Sequence, residues 1–125
     1  MDFNEYQKEA HKTAEYPDTA VIGDKFFHGD GPELILTPFL YASLGLAGEA
    51  GEVAEKVKKI IRNKKGLYTD EDVSDIRKEL GDVLWYIAEL CTVFDISMEN
   101  CAKTNIEKLA DRKERDVIKS EGDNR

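Results

Sequence analysis

Apolar residues recur along this chain with the three- and four-residue spacing of helices that bury one face. Two long stretches show this spacing most clearly, and polar residues occupy the positions between. The first stripe consists of Leu46, Ala50, Val53, Val57 and Ile60. The second consists of Ile76, Leu80, Val83, Ile87, Leu90 and Phe94. Both stripes predict amphipathic helices that pack against another element.

Capping residues divide the chain into four predicted helices. Thr37 and Pro38 have the residue types of an N-cap and a first helical position. Thr69 followed by Asp72 is typical of a capping box, and Ser97 is the expected N-cap of the last helix. The predicted helices cover residues 2–15, 38–63, 70–94 and 98–119. The fold class is therefore all-α, with four helices in a bundle-like arrangement.

The segment 16–37 between the first two helices has a different composition. Several glycines and prolines interrupt it, and it carries no β-hairpin signal. Loops of this length in compact domains are usually functional or disordered. Phe26 and Phe27 have apolar surface to bury, which argues against disorder. We expect a long loop, and His28 within it is more typical of a bystander than of a site residue.

Length and charge restrict the class of protein. The 125 residues predict one domain, 1–125, and the formal net charge of −8 disfavours nucleic acids and anionic membrane surfaces as partners. No window approaches the roughly 20 apolar residues of a membrane span, and the N-terminus lacks signal-peptide features. Cys91 and Cys101 do not have metal-site spacing. These features predict a cytoplasmic protein with free thiols.

Two pairs of acids stand beside the apolar stripes. Glu49 and Glu52 are three residues apart in the second predicted helix. Glu79 and Asp82 repeat that spacing in the third helix. Each pair lies on one side of its helix, so antiparallel packing could bring four carboxylates to one edge. Unpaired, two such charges 4 Å apart would repel by about 4 kcal/mol at an effective dielectric constant of 20.

A divalent cation would turn this repulsion into attraction. Carboxylate-only sites suit Mg²⁺, Mn²⁺ or Ca²⁺, whereas di-iron bundles use Glu-x-x-His pairs that this chain lacks. Gly51 and Gly81 sit inside the two acid pairs, and we expect a close approach of another group there. The alternative is a solvated helix face, with Glu52 pairing with Lys56 and no catalytic role.

The acid pairs and their surroundings resemble the MazG-like all-α nucleoside triphosphate pyrophosphohydrolases. The stretches that are similar to this family read GLAGEAGEVAEKVKK, KELGDVLWYIAEL, NIEKLADR and the terminal GDNR. Such tails are similar to those of small bacterial and phage members. The resemblance covers roughly residues 39–125 and the stretch YQKEA of the first predicted helix, and it is weakest in the segment 16–37.

The resemblance implies an enzyme with a defined reaction. Water would attack the α-phosphorus of a (d)NTP, giving (d)NMP and pyrophosphate, with Mg²⁺ as cofactor and Mn²⁺ as a substitute. It also implies a homodimer or homotetramer that cleanses or adjusts nucleotide pools. Two alternatives stay open at this point: a non-catalytic acidic interaction module, and a member acting on alarmone or diphosphate nucleotides.

The resemblance also implies roles for individual residues. The implied metal ligands are Glu49, Glu52, Glu79 and Asp82, and Glu52 is our choice of catalytic base. The implied phosphate or sugar contacts are Asn105, Lys108 and Arg112, which share one face of the last helix. Lys56, on the face of Glu52, and Arg125, in a tail expected to fold over the nucleotide, complete the substrate-binding set. Trp85 could stack on a base, although a place in the core is more typical of such a residue.

Overall fold

Four helices dominate the computed structural model, which describes residues 1–16, 20–22, 34–36 and 38–118. They are α1 (Phe3–His11), α2 (Pro38–Lys64), α3 (Asp70–Val93) and α4 (Met98–Glu114). The predicted all-α fold class is confirmed. The N-terminal and C-terminal helices are shorter than predicted, because left-handed backbone at Asp116 follows α4 and turns replace helix after His11.

A short two-stranded ladder lies between α1 and α2. Strand β1 (Ala20–Ile22) pairs antiparallel with β2 (Leu34–Leu36), and Ala20 stands opposite Leu36. The expectation of no hairpin in this segment is wrong. Three-residue strands are too short to show an alternating pattern, and more residues separate the two strands in the sequence than in the short hairpins that carry a turn signature.

Side-chain caps fix the starts of the helices as the sequence predicts. Thr69 accepts a hydrogen bond from the backbone N–H of Asp72, whose carboxylate accepts one from Thr69 in return. Lys64 adds a 2.7 Å contact to the same carboxylate, and together these interactions lower the pKa of Asp72 to about 2. Ser97 caps α4 by accepting from Asn100. The bonds among Lys64, Thr69 and Asp72 fix the α2–α3 connection where α3 begins.

Helix α3 is central, because it contacts each of the other three helices. In the described part of the chain, a small group of buried apolar residues forms one core, and partly buried side chains pack against it. This core consists of Ala10, Ala88, Cys91 and Met98, flanked by Tyr6, Trp85 and Ile87.

Much of the apolar surface of the helices stays exposed in the single chain. Leu44, Ile61 and Ile106 are 67%, 63% and 66% exposed. Three large members of the predicted stripes, Val57, Leu80 and Phe94, are also 42%, 48% and 57% exposed. The stripes are therefore only partly covered by the described part of the chain. Among the described residues, no helix is long and apolar enough to cross a membrane.

Candidate metal centre

Three of the four acids singled out by the sequence converge between α2 and α3. Glu49 comes from α2, and Glu79 and Asp82 come from successive turns of α3. One carboxylate oxygen from each lies within 4.8 Å of the others. The helices run antiparallel, because Lys64 meets Asp72 near the connection while the acids meet farther along both helices. We call these three residues the acid cluster.

Glu52 lies one turn from Glu49 on α2 and is exposed. It is not part of the acid cluster. Its charge nevertheless acts on Glu49, as described below. Its predicted roles as ligand and base stay predictions.

The acid cluster has a suitable donor set and size for a hard divalent cation. Two oxygens on opposite sides of Mg²⁺ are about 4.2 Å apart, and the figure is nearer 5 Å for Ca²⁺. The three oxygens, each within 4.8 Å of the others, are therefore near the spacing that one such ion allows between its ligands. Carboxylates without histidine or cysteine favour these hard ions.

Neighbouring negative charges act on Glu49 of the acid cluster. Partial removal from water raises the pKa of Glu49, and the charges of Asp82, Glu79 and Glu52 raise it further. Each cause disfavours the ionised form of the carboxyl group. A bound cation would reverse the effect of the neighbouring charges.

A positive side chain borders the acid cluster. The Nζ atom of Lys56 lies 3.4 Å from Oε1 of Glu79 and 4.0 Å from Oδ2 of Asp75. Lys56 also lines a hollow of about 220 Å³ whose other lining residues are Lys59, Ile60, Asn63, Lys64, Asp72 and Asp75. This hollow carries both signs of charge, and Lys56 connects it with the acid cluster.

Aromatic rings border the other side of the acid cluster. Glu49 and Asp82 line a hollow of about 350 Å³ together with Trp85 and Tyr86. The rings of Trp85 and Tyr86 meet edge to face, with centroids 4.9 Å apart. Burial raises the pKa of the Tyr86 hydroxyl, with smaller contributions from Tyr41 and from the two acids. The hollow therefore combines carboxylates with flat apolar surfaces.

Two further rings stand behind this hollow. Tyr16 stacks on Tyr41 with centroids 5.0 Å apart, and Tyr16 also meets the edge of Trp85 at 6.4 Å. Tyr41 lies 6.4 Å from Tyr86. We call Tyr16, Tyr41, Trp85 and Tyr86 the aromatic cluster. Sequence reasoning missed Tyr16 and Tyr41, because their only sequence signal is the aromatic residue type near breaks in the helical pattern.

Trp85 packs against the core, as expected, but the core is only part of its environment. Its indole N–H donates to Oγ1 of Thr13 at 2.8 Å and contacts the carbonyl oxygen of Ala10 at 3.2 Å. These bonds hold the end of α1 against α3. The ring also lines the hollow with Glu49, so Trp85 serves both the packing and the site.

The ring of Tyr86 approaches α2 closely at Gly45, a glycine for which the sequence predicted no close approach. A Cβ atom at Gly45 would lie 2.1 Å from Cε1 of Tyr86. At Gly51 and Gly81, a Cβ atom would meet nothing within 4 Å. No other helix in the described part of the chain therefore approaches Gly51 or Gly81 closely, and an approach by a ligand or a second copy stays a prediction. Gly45 is the position that lets Tyr86 face the hollow.

The predicted contacts on α4 lie apart from the acid cluster in the single chain. Asn105 and Lys108 line a groove of about 630 Å³ whose wall includes Leu84 and Ile87 of α3. Arg112 is only 4% exposed, so it does not lie on an open helix face. Arg125 and His28 lie outside the described residues.

Comparison with known proteins identifies relatives of this chain. A family model described as the MazG nucleotide pyrophosphohydrolase domain matches residues 40–117, which include the acid cluster. The chain is also similar to the Gene 37 protein of Mycobacterium phage L5, with 42% identity over 125 residues that cover 100% of both chains. No solved structure gives a significant match.

Proposed function

Because the chain belongs to the MazG nucleotide pyrophosphohydrolase family, we propose that it hydrolyses nucleoside triphosphates to monophosphates and pyrophosphate. The observation that carries this proposal is the convergence of Glu49, Glu79 and Asp82 within 4.8 Å. Three carboxylates held together are unfavourable alone and become favourable around a divalent cation that also binds phosphate. We propose Mg²⁺ as this cation, with Mn²⁺ as a substitute.

The residues around the acid cluster divide the work of the reaction. Glu49, Glu79 and Asp82 would hold the cation, and Glu52, whose charge acts on Glu49, lies one turn away on α2. A divalent cation, when bound, supplies positive charge against phosphate oxygens and makes water a stronger acid. Glu52 would accept the proton of the water that attacks the α-phosphorus. The bond to the bridging oxygen then breaks, and pyrophosphate leaves.

The two hollows beside the acid cluster fit the two ends of a nucleotide. The lysine-bearing hollow offers Lys56 to the phosphates, which bind ammonium groups well. The hollow with Trp85 and Tyr86 offers rings on which a base could stack. Asn105, Lys108, Arg112 and Arg125 remain proposed phosphate or sugar contacts on the strength of family resemblance.

We also propose that the protein works as a homodimer or homotetramer. Exposed apolar side chains on α2, α3 and α4 support this proposal, because such surfaces commonly mark interfaces. The position of Asn105 and Lys108 on a separate groove supports it as well. A second copy could bring such residues to an acid cluster that their own chain does not reach.

The proposed function is tested by pyrophosphate release from a panel of ribo- and deoxynucleotides with Mg²⁺ or Mn²⁺. We expect release by the wild type, at least a hundredfold loss in Asp82→Asn, and little change in the control Glu107→Gln, an exposed acid on α4. Cation at a hundred times its Kd should stabilise the wild type by about 2.7 kcal/mol and leave Asp82→Asn nearly unaffected. Release from none of the triphosphates would refute the proposal. A non-catalytic module would show no cation effect, and an alarmone or diphosphate enzyme would respond only to those nucleotides.

A further inference from the structure

A fully buried carboxylate lies on α3 outside the acid cluster. Glu89 has 0% exposure. Its Oε2 atom accepts a hydrogen bond from the hydroxyl of Tyr16 at 2.6 Å and lies 3.1 Å from Nδ1 of His11. The proposed reaction uses none of these three residues.

Burial of a carboxylate is costly unless hydrogen bonds compensate for the lost water. An apolar side chain of similar volume usually packs as well or better at a buried position. Packing alone therefore does not explain a glutamate at this position. The groups that Glu89 holds must supply the explanation, and both come from the end of α1 and the residues after it.

Tyr16 connects Glu89 with the rings beside the acid cluster. Its ring stacks on Tyr41 with an interplanar angle of 21° and meets the edge of Trp85 at 89°. Tyr41 in turn lies against Tyr86, which lines the hollow with Glu49. A hydroxyl anchored at 2.6 Å fixes where the ring of Tyr16 can lie. A chain of contacts through Tyr16 thus links Glu89 with the rings of the hollow.

We propose that Glu89 is a positioning residue that fixes the aromatic cluster through Tyr16 and thereby sets how tightly the nucleoside end of a substrate is held. The second part of this proposal rests on the proposed function, whereas the first part does not. His11 is a supporting partner, because its Nδ1–H can donate to an ionised Glu89. The bystander role predicted for His28 does not apply to His11, which lies on α1.

Three variants separate positioning from general stability. Tyr16→Phe keeps the ring and removes only the hydroxyl, Glu89→Gln keeps an acceptor for that hydroxyl, and Glu89→Leu removes it. The control is Ile76→Ala, which shortens a half-buried side chain of α3 nine positions before Trp85 and outside the core that Trp85 flanks. Trp85 is the only tryptophan, so its fluorescence reports on the aromatic cluster directly.

We expect Tyr16→Phe and Glu89→Leu to shift the emission of Trp85 and to raise KM for the best nucleotide at least fivefold, with kcat changed less than twofold. Glu89→Gln should lie near the wild type, and Ile76→Ala should lower Tm without either effect. Tyr16→Phe is the mildest change, so its result stands even if Glu89→Leu does not fold.

The two proposals fail in different ways. Wild-type emission in Tyr16→Phe and in folded Glu89→Leu would overturn the positioning of the aromatic cluster. Shifted emission with an unchanged KM would overturn its link to the substrate. A wild type that hydrolyses no nucleotide would refute the proposed function alone, since the emission of Trp85 would still report on Glu89.

Discussion

Lys56 of α2 lies 3.4 Å from Glu79 of α3, so one of the three clustered carboxylates has an ammonium partner from the opposite helix. About a third of the Lys56 side chain is exposed, which leaves it free to move toward solvent or a ligand. The pair therefore compensates part of the charge of the acid cluster without closing the cluster. The phosphates of a nucleotide bound there could contact the Lys56 ammonium group in place of Glu79.

Replacement of Lys56 tests this double use. Lys56→Gln should lower activity about tenfold or more, because a phosphate contact is lost. The free energy of unfolding should fall by less than about 1 kcal/mol, since a partly exposed ion pair stabilises little. Lys59→Gln is the matched control, because Lys59 lines the same hollow but pairs with Glu55. Equal activity of both variants in the pyrophosphate assay would contradict a phosphate role for Lys56.

Glu52 can be separated from the acid cluster by comparing binding with turnover. Because Glu52 lies outside the cluster, Glu52→Gln should keep most of the rise in Tm produced by Mg²⁺. Turnover should nevertheless fall at least a hundredfold if Glu52 accepts the proton of water. Thermal unfolding with and without Mg²⁺, together with kcat, measures the two effects. Loss of the Tm rise would identify Glu52 as a ligand, and retained turnover would exclude it as the base.

The raised pKa of Glu49 predicts a pH dependence with a definite sign. Its folded-state pKa lies above the unfolded value, so the folded protein binds the proton more tightly. The stability that Glu49 contributes is therefore fully present below the unfolded pKa and is lost as pH rises through the folded pKa. In metal-free protein, the wild type should gain stability relative to Glu49→Gln on acidification through that interval.

The same proton competes with a cation for Glu49. The rise in Tm produced by Mg²⁺ should therefore disappear on acidification at a higher pH than an ordinary glutamate would require. Thermal unfolding of wild type and Glu49→Gln over a pH series measures both effects. Parallel stability curves of the two proteins would contradict the raised pKa.

Two glycines of α2 should respond oppositely to alanine. Gly45→Ala should destabilise the protein and disturb the hollow, since the new Cβ atom would collide with the ring of Tyr86. Gly51→Ala should stabilise it by up to about 1 kcal/mol, because alanine favours a helix and meets nothing there. Urea unfolding of both variants measures the difference. A destabilised Gly51→Ala would instead point to a second copy or a ligand against that face.

The parts of the fold that depend on local sequence were predictable. Periodicity and caps located the helices, and Thr69 with Asp72 marked the start of α3. The spacing of the acids predicted a cation site but not which of the four acids lie close together. Glu49 and Glu52 point about 60° apart around their helix, and the packing of α2 on α3 decides which of them faces Glu79.

Long-range relationships gave no such signal. Tyr16 and Glu89 are 73 positions apart, and their hydrogen bond depends on how α1 packs on α3. Glu89 stands seven residues after Asp82 and is surrounded by apolar residues in the sequence. This apolar setting of an acid is the sequence feature that could have predicted its burial. Gly45 likewise gains its meaning only from the ring of Tyr86 in another helix.

The acid cluster is built from two helices that follow each other directly in the chain, with only residues 65–69 between them. Docking of α3 on α2 is therefore a local event, and local contacts form early in folding. The same event brings the three carboxylates together, so their repulsion opposes an early step as well as the final state. Divalent cations should consequently raise the rate at which α2 and α3 dock, which makes the chemistry of the site part of the folding pathway.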